Sequence, residues 1–599
     1  MTETVTPGPV GDTGPTVTAG TILTASTILT AATILTASTI ITMDETRPRA
    51  EAVAVSGGVI VAVGSLAEVR AALPGAEVVD TGAAVLMPGF IESHGHPIVS
   101  GQATQAPARS ISPWDAPTWK DVLAIFAEAI AATPVGVPLL FNGFDALLQG
   151  IEHPTAASLD AIFGDRLVAV ADNSGHGVYF TTALITSQGW DARPPADPVG
   201  GSFGRNADGS LDGTAYELPA VLAVVMPVMA KIGGNPLHPA MAFYRIMAEA
   251  GITSTSEMTY NDQLKGAYEA LAVMTNVPLR LSVYHVSVEA SCAEPLDSDV
   301  STGLLVKQGI KLWADGSPWI GNVATSFGYL DTETTRRAKI DRSIAGEHAM
   351  NYSRADLDAI LDTHALSGWQ ISVHVNGDLG LDIVLDAIER ALVKHGLLGT
   401  DHRWRVEHVG AGRKDQFERA ARLGVAISMG PFQFYYWGDM LDGEMFESQY
   451  GSQWQAFRDA FSSGATVSFH NDGAVTPPTP LLNVQTAVTR RTRSGALRGE
   501  NQAISVHEGL AAETINAAFL LKRDHLVGSI AVGKLADFVE LSADPYDVDP
   551  RTLATDVTVL GTWLGGNRID LDAFMGEAHG VDPAQHAGLS AHVATGHRC

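Results

Sequence analysis

Two histidines separated by one glycine, His94 and His96, are the residues of this chain whose spacing most clearly suits chemistry. They follow the apolar stretch 85–91, so the segment predicts the end of a β-strand. Side chains alternate along a strand, which would place both imidazoles on one face with Cα atoms about 7 Å apart. Such a pair can bind one cation, and neutral imidazole suits zinc and similar first-row metals. Taken alone, the pair is equally compatible with unrelated histidines at a strand–loop junction.

Four further residues of ligand or acid–base type lie in or just after predicted strands. Lys311 lies in the apolar run 309–313, and His374 ends the run 370–374. His408 ends the run 403–408, and Asp472 follows the run 466–469. In a barrel of parallel strands, functional side chains sit at the carboxyl ends of the strands. We therefore expect these four residues to join His94 and His96 in one site.

The segment 87–522 must position these residues, and its alternating strands and helices predict an α/β fold. Helical patterns at 381–394 and 414–423 separate the strand-like runs. Repeated β-α units of this length favour a (β/α)8 TIM-type barrel. The stretch of about 105–240 lacks that rhythm and is predicted to be an insertion into the barrel.

Short strands on both sides of the barrel predict a small β-sandwich domain built from the N- and C-terminal flanks, 21–86 and 523–574. A six-residue repeat, Thr-Ile-Leu-Thr-Ala-Ser and its variants, occupies 21–44, and we expect only its last copy to form a strand. Residues 1–20 are predicted to be a disordered tail and residues 575–599 a loose one. The predicted strands are 39–43, 52–58, 59–63 and 77–80 in the first flank, and 527–530, 537–541 and 557–560 in the second.

Composition excludes several classes of partner. The formal net charge is −28, without clusters of lysine or arginine, which argues against nucleic acid and anionic membrane surfaces. The chain has only 2 cysteines, which excludes a disulfide framework and favours a reducing compartment. No apolar run approaches the length of a membrane span, and the N-terminus lacks a basic signal-peptide start, so a cytoplasmic location is expected. The sequence does not fix the oligomeric state, and a homodimer is compatible with it.

The order His-x-His, lysine, histidine, histidine, aspartate across successive strands resembles the amidohydrolase superfamily of metal-dependent hydrolases. More narrowly, it resembles the amidohydrolase family 3 branch, which includes N-substituted formamide deformylases. The resemblance covers about 39–565 of the chain. Its motifs are the stretches 88–96, 311–317, 374–378, 405–408 and 528–537.

The resemblance implies a role for each candidate residue. His94, His96 and Asp472 would bind one divalent ion, and His374 and His408 a second. Lys311 would be carboxylated by CO2 and bridge the two ions, which are expected to be Zn2+. A plain lysine ion-paired with Asp315 or Asp472, in a site with one metal, is the alternative. His470 is expected to pack beside the site rather than to bind metal.

The activity implied by the resemblance is hydrolysis of a non-peptide C–N bond in an amide, an N-substituted formamide or a cyclic amide. Metal-activated hydroxide would attack the carbonyl, with Asp472 as general base and then acid. His176 would polarise the carbonyl, the alternative being a histidine on a surface loop. Hydrolysis of an ester, lactone or carbamate, and a non-catalytic regulatory role, are the competing functions.

The substrate pocket is expected to be aromatic, because several aromatic side chains closely follow the candidate strands. Core packing is the alternative for each of them. The resemblance also marks Asp145 and Glu217 as polar pocket residues. The aromatic candidates for substrate binding are Trp313, Trp319, Phe432, Tyr435 and Tyr436.

Overall fold

A computed structural model describes residues 32–198, 201–235, 237–296, 303–340 and 346–577. The strands of the first flank and the first barrel strand are β1 (Thr33–Ile41), β2 (Arg49–Ser56), β3 (Val59–Gly64), β4 (Glu77–Asp80), β5 (Val85–Pro88) and β6 (Phe90–Glu92). Next come β7 (Arg109–Ser110), β8 (Leu139–Phe144), β9 (Val168–Asp172), β10 (Gly177–Phe180), β11 (Ser202–Arg205) and β12 (Leu211–Tyr216). The remaining strands are β13 (Ile252–Tyr260), β14 (Arg280–Val286), β15 (Leu305–Trp313), β16 (Gln370–Val375), β17 (Arg405–His408), β18 (Ala426–Met429), β19 (Val467–Phe469), β20 (Phe538–Leu541), β21 (Val559–Leu564) and β22 (Asn567–Arg568).

The helices cover the barrel and connect its strands. Those before β13 are α1 (Leu66–Ala72), α2 (Pro97–Thr104), α3 (Trp119–Ala132), α4 (Ala156–Phe163), α5 (Thr182–Ser187), α6 (Leu218–Ile232) and α7 (Leu237–Glu249). The middle helices are α8 (Lys265–Ala272), α9 (Glu333–Arg337), α10 (Arg354–His364), α11 (Asp378–His395), α12 (Lys414–Leu423), α13 (Pro431–Leu441) and α14 (Ser448–Gly451). The last are α15 (Phe457–Ser462), α16 (Pro480–Thr489), α17 (Val506–Ala512), α18 (Ile515–Leu520), α19 (Leu553–Asp556) and α20 (Leu571–Glu577).

The predicted barrel is present as a nearly closed sheet of eight parallel strands, in the order β6-β13-β14-β15-β16-β17-β18-β19. In the described residues, β6 and β19 share no backbone ladder. Side chains close this seam instead: Ser93 Oγ lies 2.8 Å from Ser468 Oγ and 3.2 Å from the Phe469 carbonyl oxygen. The barrel wall is packed from outside by the apolar faces of helices such as α11 and α12. The α/β barrel architecture is therefore confirmed.

The segment between β6 and β13 carries a sheet of its own, in the order β11-β12-β10-β9-β8-β7. It lies within the stretch whose missing rhythm predicted an insertion. Strands from both flanks join a third sheet, in the order β22-β21-β20-β5-β1-β2-β3, with β4 paired to β1. The two flanks thus share one sheet, and its form as a sandwich stays a prediction.

Several predicted boundaries are wrong. The first strand is β1, which begins six residues earlier than the predicted 39–43 and ends at Ile41, because Met43 takes a left-handed backbone with φ 53°. The segment 527–530 forms no strand, and residues 575–577, predicted as tail, belong to α20. The repeat copies at 21–31 and the tails at 1–20 and 578–599 lie outside the described residues.

The described helices differ in length and hydropathy, the two properties that a membrane-spanning helix needs. No single one is long and apolar enough to cross a membrane. A sharply bent pair, Pro219–Ile232 with Leu237–Glu249, meets the criterion only when its two helices are taken together.

Candidate metal centre

The six candidate residues converge at the carboxyl edge of the barrel, where functional groups of such barrels lie. Lys311 is in β15, His374 in β16, and His408 ends β17. His94 follows β6 and Asp472 follows β19, which are the two strands at the open seam.

His94 and His96 do not lie on a strand, contrary to the prediction. Strand β6 ends at Glu92, and His96 is the residue that precedes α2. The chain turns at Gly95, whose N–H donates to Ser256 Oγ at 3.1 Å and whose carbonyl accepts from the Met258 N–H at 3.0 Å. The turn still brings the rings together, with centroids 5.5 Å apart. A turn rather than strand alternation therefore pairs these imidazoles.

Positive backbone angles redirect two other side chains. His408 has φ 70° and Asp472 has φ 53°. Such angles are rare in residues other than glycine and cluster at functional sites. In the barrel register, His374 pairs with Glu407 and Val375 with His408. Regular alternation would turn His408 away from the His374 side, but its ring centroid lies 4.4 Å from that of His374.

One group of potential ligands is formed by His94, His96 and Asp472. Asp472 Oδ1 lies 3.2 Å from His96 Nε2 and 3.6 Å from His94 Nε2. One ligand atom from each residue lies within 4.8 Å of the others. These donors fit one divalent cation of the zinc type.

His408 faces the second carboxylate oxygen of Asp472, with Nδ1 3.9 Å from Oδ2, and its ring packs against that of His374. His408 Nε2 is buried and has no hydrogen-bond partner. His408 Nδ1 lies 3.0 Å from His470 Nε2, and His470 Nδ1 lies 2.8 Å from Ser428 Oγ. His374 Nε2 lies 3.1 Å from the Gly316 carbonyl oxygen. A buried imidazole nitrogen without a partner is costly unless something binds it. The orphaned nitrogen therefore supports a cation at this position, with His470 holding the ring from behind.

Lys311 is fully buried beside the first group. Its Nζ lies 3.2 Å from His94 Nε2 and 5.3 Å from the centroid of the Trp313 ring. Within the described residues, no ion pair joins it to Asp315 or Asp472, the partners expected of an ordinary lysine here; Asp315 lies near His374, and Asp472 near His94 and His96. Burial lowers the pKa of Lys311 to about 8, against the opposing effect of Glu407 and Asp472. An amine with this pKa is partly neutral near neutral pH, which is the form that reacts with CO2.

Buried carboxylates contact the Nδ1 atoms of His94 and His96, whose Nε2 atoms lie near Asp472. His94 Nδ1 lies 2.7 Å from Glu407 Oε2, which also accepts from Arg405 Nη2 at 2.8 Å. His96 Nδ1 lies 3.3 Å from Glu257 Oε1 and 3.2 Å from Thr259 Oγ1. Carboxylates that bind the second ring nitrogen orient metal-binding histidines and raise their basicity.

The sequence reasoning missed these carboxylates. Glu407 stands next to His408, and the spacing from Arg405 to Glu407 could have marked a buried ion pair. Glu257 lies in β13, whose Thr- and Ser-rich sequence gives little apolar strand signal.

The protonation states of most of these histidines suit metal binding. Burial and Lys311 lower the pKa of His374 to about 3, and burial lowers the pKa of His94 and of His408. Burial alone would lower the pKa of His96 too, but its hydrogen bonds to Asp472 and Glu257 raise it to about 9. Although burial opposes it, His94 and His96 hold the pKa of Asp472 well below its usual range. Neutral imidazoles and an ionised carboxylate are the forms that bind metal.

A cleft opens over these residues. It contains His374, His408 and Asp472, and the aromatic candidates Trp319 and Phe432 line it too. The other aromatic candidates, Trp313, Tyr435 and Tyr436, are not among its lining residues, and their contact with substrate stays a prediction. The other lining residues are Ser174, His176, Ser317, Pro318, Asn376, Gln433 and Val475.

Of the polar pocket candidates, Asp145 is buried and Glu217 is half-buried beside His176. His176, which precedes β10, lies in the cleft with a side chain 14% exposed, so it is not a surface-loop histidine. Burial opposes its protonation, but Glu217 raises the pKa of His176. Glu217 Oε2 lies 2.8 Å from His176 Nδ1. Asp145 instead accepts from the indole nitrogen of Trp437 at 2.9 Å and does not line the cleft.

Two family models match parts of the chain. The model of a family described as "Amidohydrolase family" matches residues 77–570. A model of an imidazolonepropionase-like composite domain from bacteria matches residues 52–76.

Two relatives and one solved structure match most of the chain. An N-substituted formamide deformylase of Arthrobacter pascens is 27% identical over 88% of this chain and 95% of its own length. The protein LONG AFTER FAR-RED 3 of Arabidopsis thaliana is 25% identical over 88% of this chain and 89% of its own. The crystal structure of an uncharacterized metal-dependent hydrolase from Pyrococcus horikoshii OT3 superimposes with a TM-score of 0.67. It covers 87% of this chain and 99% of that one at 21% identity, and it supports the fold.

Proposed function

Because the chain belongs to the amidohydrolase family, we propose that it is a metal-dependent hydrolase of a non-peptide C–N bond in an amide, an N-substituted formamide or a cyclic amide. The observation that carries the proposal is the convergence of His94, His96, His374, His408, Lys311 and Asp472, together with the buried and partnerless Nε2 of His408. The likeness to an N-substituted formamide deformylase favours the amide class over esters.

The donor set fits divalent cations, and we propose zinc. His94, His96 and Asp472 would hold one ion, and His374 and His408 a second. A bound divalent cation supplies an acidified water and a Lewis acid for the substrate carbonyl.

Lys311 would join both ions as a carbamate. As an ammonium, its Nζ would place a positive charge 3.2 Å from the ligand nitrogen of His94. Such a charge repels a cation at the same place. Reaction of the neutral amine with CO2 would form the N–C bond of a carbamate and release one proton, which leaves one negative charge shared by two oxygens that can bind cations.

Asp472 is the proposed general base and acid. Its carboxylate is held by His96, and its low pKa keeps it ionised before the reaction. It would take a proton from the attacking water and return it to the leaving nitrogen. His176, on another side of the cleft, would donate a hydrogen bond to the carbonyl oxygen as negative charge develops there.

The lining of the cleft favours a substrate with an apolar or aromatic group beside the scissile bond. Trp319 and Phe432 supply flat apolar surface, and Trp319 stacks on Trp437 with centroids 4.3 Å apart. Gln433 and Asn376 add polar contacts, with Gln433 Nε2 donating to Asn376 Oδ1 at 3.0 Å.

Hydrolysis of N-benzylformamide and benzyl formate by zinc-reconstituted protein tests the proposal. These substrates share the benzyl group and differ in the leaving atom. We expect turnover of the formamide that a chelator abolishes and zinc restores, and that Asp472→Asn reduces by several orders of magnitude. Faster hydrolysis of the formate would favour the ester class, and no metal-dependent turnover of either would overturn the proposal.

A further inference from the structure

Glu217 and His176 are joined twice, through the backbone and through their side chains. Strands β10 and β12 pair antiparallel with Gly177 opposite Tyr216, so His176 and Glu217 form the next opposing pair beyond the strand ends. The Glu217 N–H donates to the His176 carbonyl at 2.8 Å. Glu217 Oε2 lies 2.8 Å from His176 Nδ1. The end of the insertion sheet therefore fixes both residues relative to each other.

The backbone of Glu217 takes a conformation that is unfavourable for its residue type. Its φ is 66° and its ψ is 153°, a region that almost only glycine occupies. A side chain held in such a conformation is commonly part of a functional site. This turn directs the Glu217 carboxylate toward His176. Glycine would adopt the same backbone more easily, but it has no carboxylate.

The same carboxylate also fastens the insertion to the barrel. Glu217 Oε1 accepts from Asn322 Nδ2 at 2.6 Å. The Asn322 carbonyl accepts from the Gly316 N–H at 2.8 Å, and the Gly316 carbonyl lies 3.1 Å from His374 Nε2. A Cβ at Gly316 would lie 2.7 Å from Asn322, so the two ends of this loop segment are in close contact. Glu217 thus links His176 to the loop that follows the Lys311 strand.

We propose that Glu217 is the positioning residue for His176. Its Oε2, 2.8 Å from Nδ1, fixes the ring in the cleft, so that the other ring nitrogen, Nε2, is left to face the substrate carbonyl oxygen. This inference rests on the proposed hydrolase function. It assigns the insertion sheet a direct part in that site, because both residues belong to it.

A double-mutant cycle in zinc-reconstituted protein separates this role from a structural one. His176→Asn should lower kcat for N-benzylformamide about 10²–10³-fold, as loss of an oxyanion donor does. Glu217→Gln should lower kcat at least about tenfold, with little change in KM or zinc content, since its effect passes through the ring. In the His176→Asn background, Glu217→Gln should change kcat by less than about twofold. Equal losses in both backgrounds, or an unchanged kcat in the single variant, would overturn the inference.

The matched control is Asp362→Asn, which alters another carboxylate–histidine pair outside the cleft, with Asp362 Oδ1 2.8 Å from His395 Nε2. It should leave kcat unchanged. If the wild-type protein hydrolyses neither formamide nor formate, the proposed function fails; if it does and the cycle is additive, only the role of Glu217 fails.

A measurement without turnover completes the test. In a crystal structure of zinc-loaded Glu217→Ala protein, the His176 ring should leave its position in the cleft while His374 and His408 stay in place. An unmoved His176 ring would contradict the inference.

Discussion

At the scale of single residues, the candidate metal ligands depend on carboxylates that hold them from outside. Glu257 is the carboxylate whose support of a ligand is simplest to test, because it has no arginine partner among the described residues to leave unpaired. Its Oε1 lies 3.3 Å from His96 Nδ1 and also accepts from Thr259. The equivalent partner of His94, Glu407, is tied to the buried Arg405 as well. Its replacement would also leave a buried charge without its partner.

Glu257→Gln is expected to weaken zinc binding about 10–100-fold, because an amide orients the His96 ring less strongly and lowers its basicity. Competition with a chromophoric chelator measures this affinity. Asp362→Asn, beside His395, is the control and should bind zinc as the wild type does. An unchanged affinity in Glu257→Gln would mean that His96 is not a ligand.

At the scale of elements, several helices begin with a capping box, in which two side chains bond to each other's backbone N–H. The capping box of α17 also includes an ion pair. The Glu508 N–H donates to Ser505 Oγ at 3.2 Å, and Glu508 Oε2 accepts from the Ser505 N–H at 2.7 Å. Arg458 Nη1 donates to Glu508 Oε1 at 2.9 Å. Partial burial would raise the pKa of Glu508, but Arg458 and Ser505 lower it below its ordinary value.

This cap should make stability depend on pH with a known sign. Because the folded-state pKa is the lower one, the contribution of Glu508 is present above the unfolded pKa of about 4.3 and is lost as the pH falls through the folded value. Urea midpoints of Glu508→Gln should therefore lie below wild type near neutral pH and approach it as the pH falls below the unfolded pKa of about 4.3. Glu418→Gln, at the exposed pair with Lys414, is the control. A difference that grows on acidification would contradict the expectation.

Individual elements also show what the sequence could and could not predict. The apolar runs around Lys311, His374 and His408 predicted their strands, because buried parallel strands need continuous apolar sequence. Strand β13 escaped notice because its Ser and Thr side chains bond inside the barrel, as Ser256 Oγ does to the Ser93 carbonyl. The turn of His94 and His96 and the positive φ of His408 depend on tertiary contacts, which local pattern does not carry.

At the scale of the whole molecule, a buried ion pair joins the barrel to the flanking sheet. Arg280, on β14, donates from Nε to Asp537 Oδ2 at 2.6 Å and from Nη2 to Oδ1 at 2.9 Å. Asp537 precedes β20 and also accepts from the Gly565 N–H at 2.8 Å. Both ionic side chains are buried, so neither can exchange its partner for water.

Asp537→Asn is expected to destabilise the protein by about 3–5 kcal/mol, because it leaves the Arg280 charge buried without its counterion. Chemical denaturation measures the loss. Asp358→Asn removes a similar two-point contact with Arg390 on the surface, and should cost no more than about 1 kcal/mol. Equal losses in both variants would mean that the barrel and the flanking sheet are not coupled through this pair.

The zinc content per chain, after reconstitution with zinc and bicarbonate and removal of free metal, tests most directly whether the six converging residues form a metal centre. We predict about two ions per wild-type chain, as in two-metal hydrolytic sites, and the loss of at least one in Lys311→Ala. A wild-type chain that retains no zinc, or a Lys311→Ala chain that retains as much as the wild type, would contradict the bridged centre.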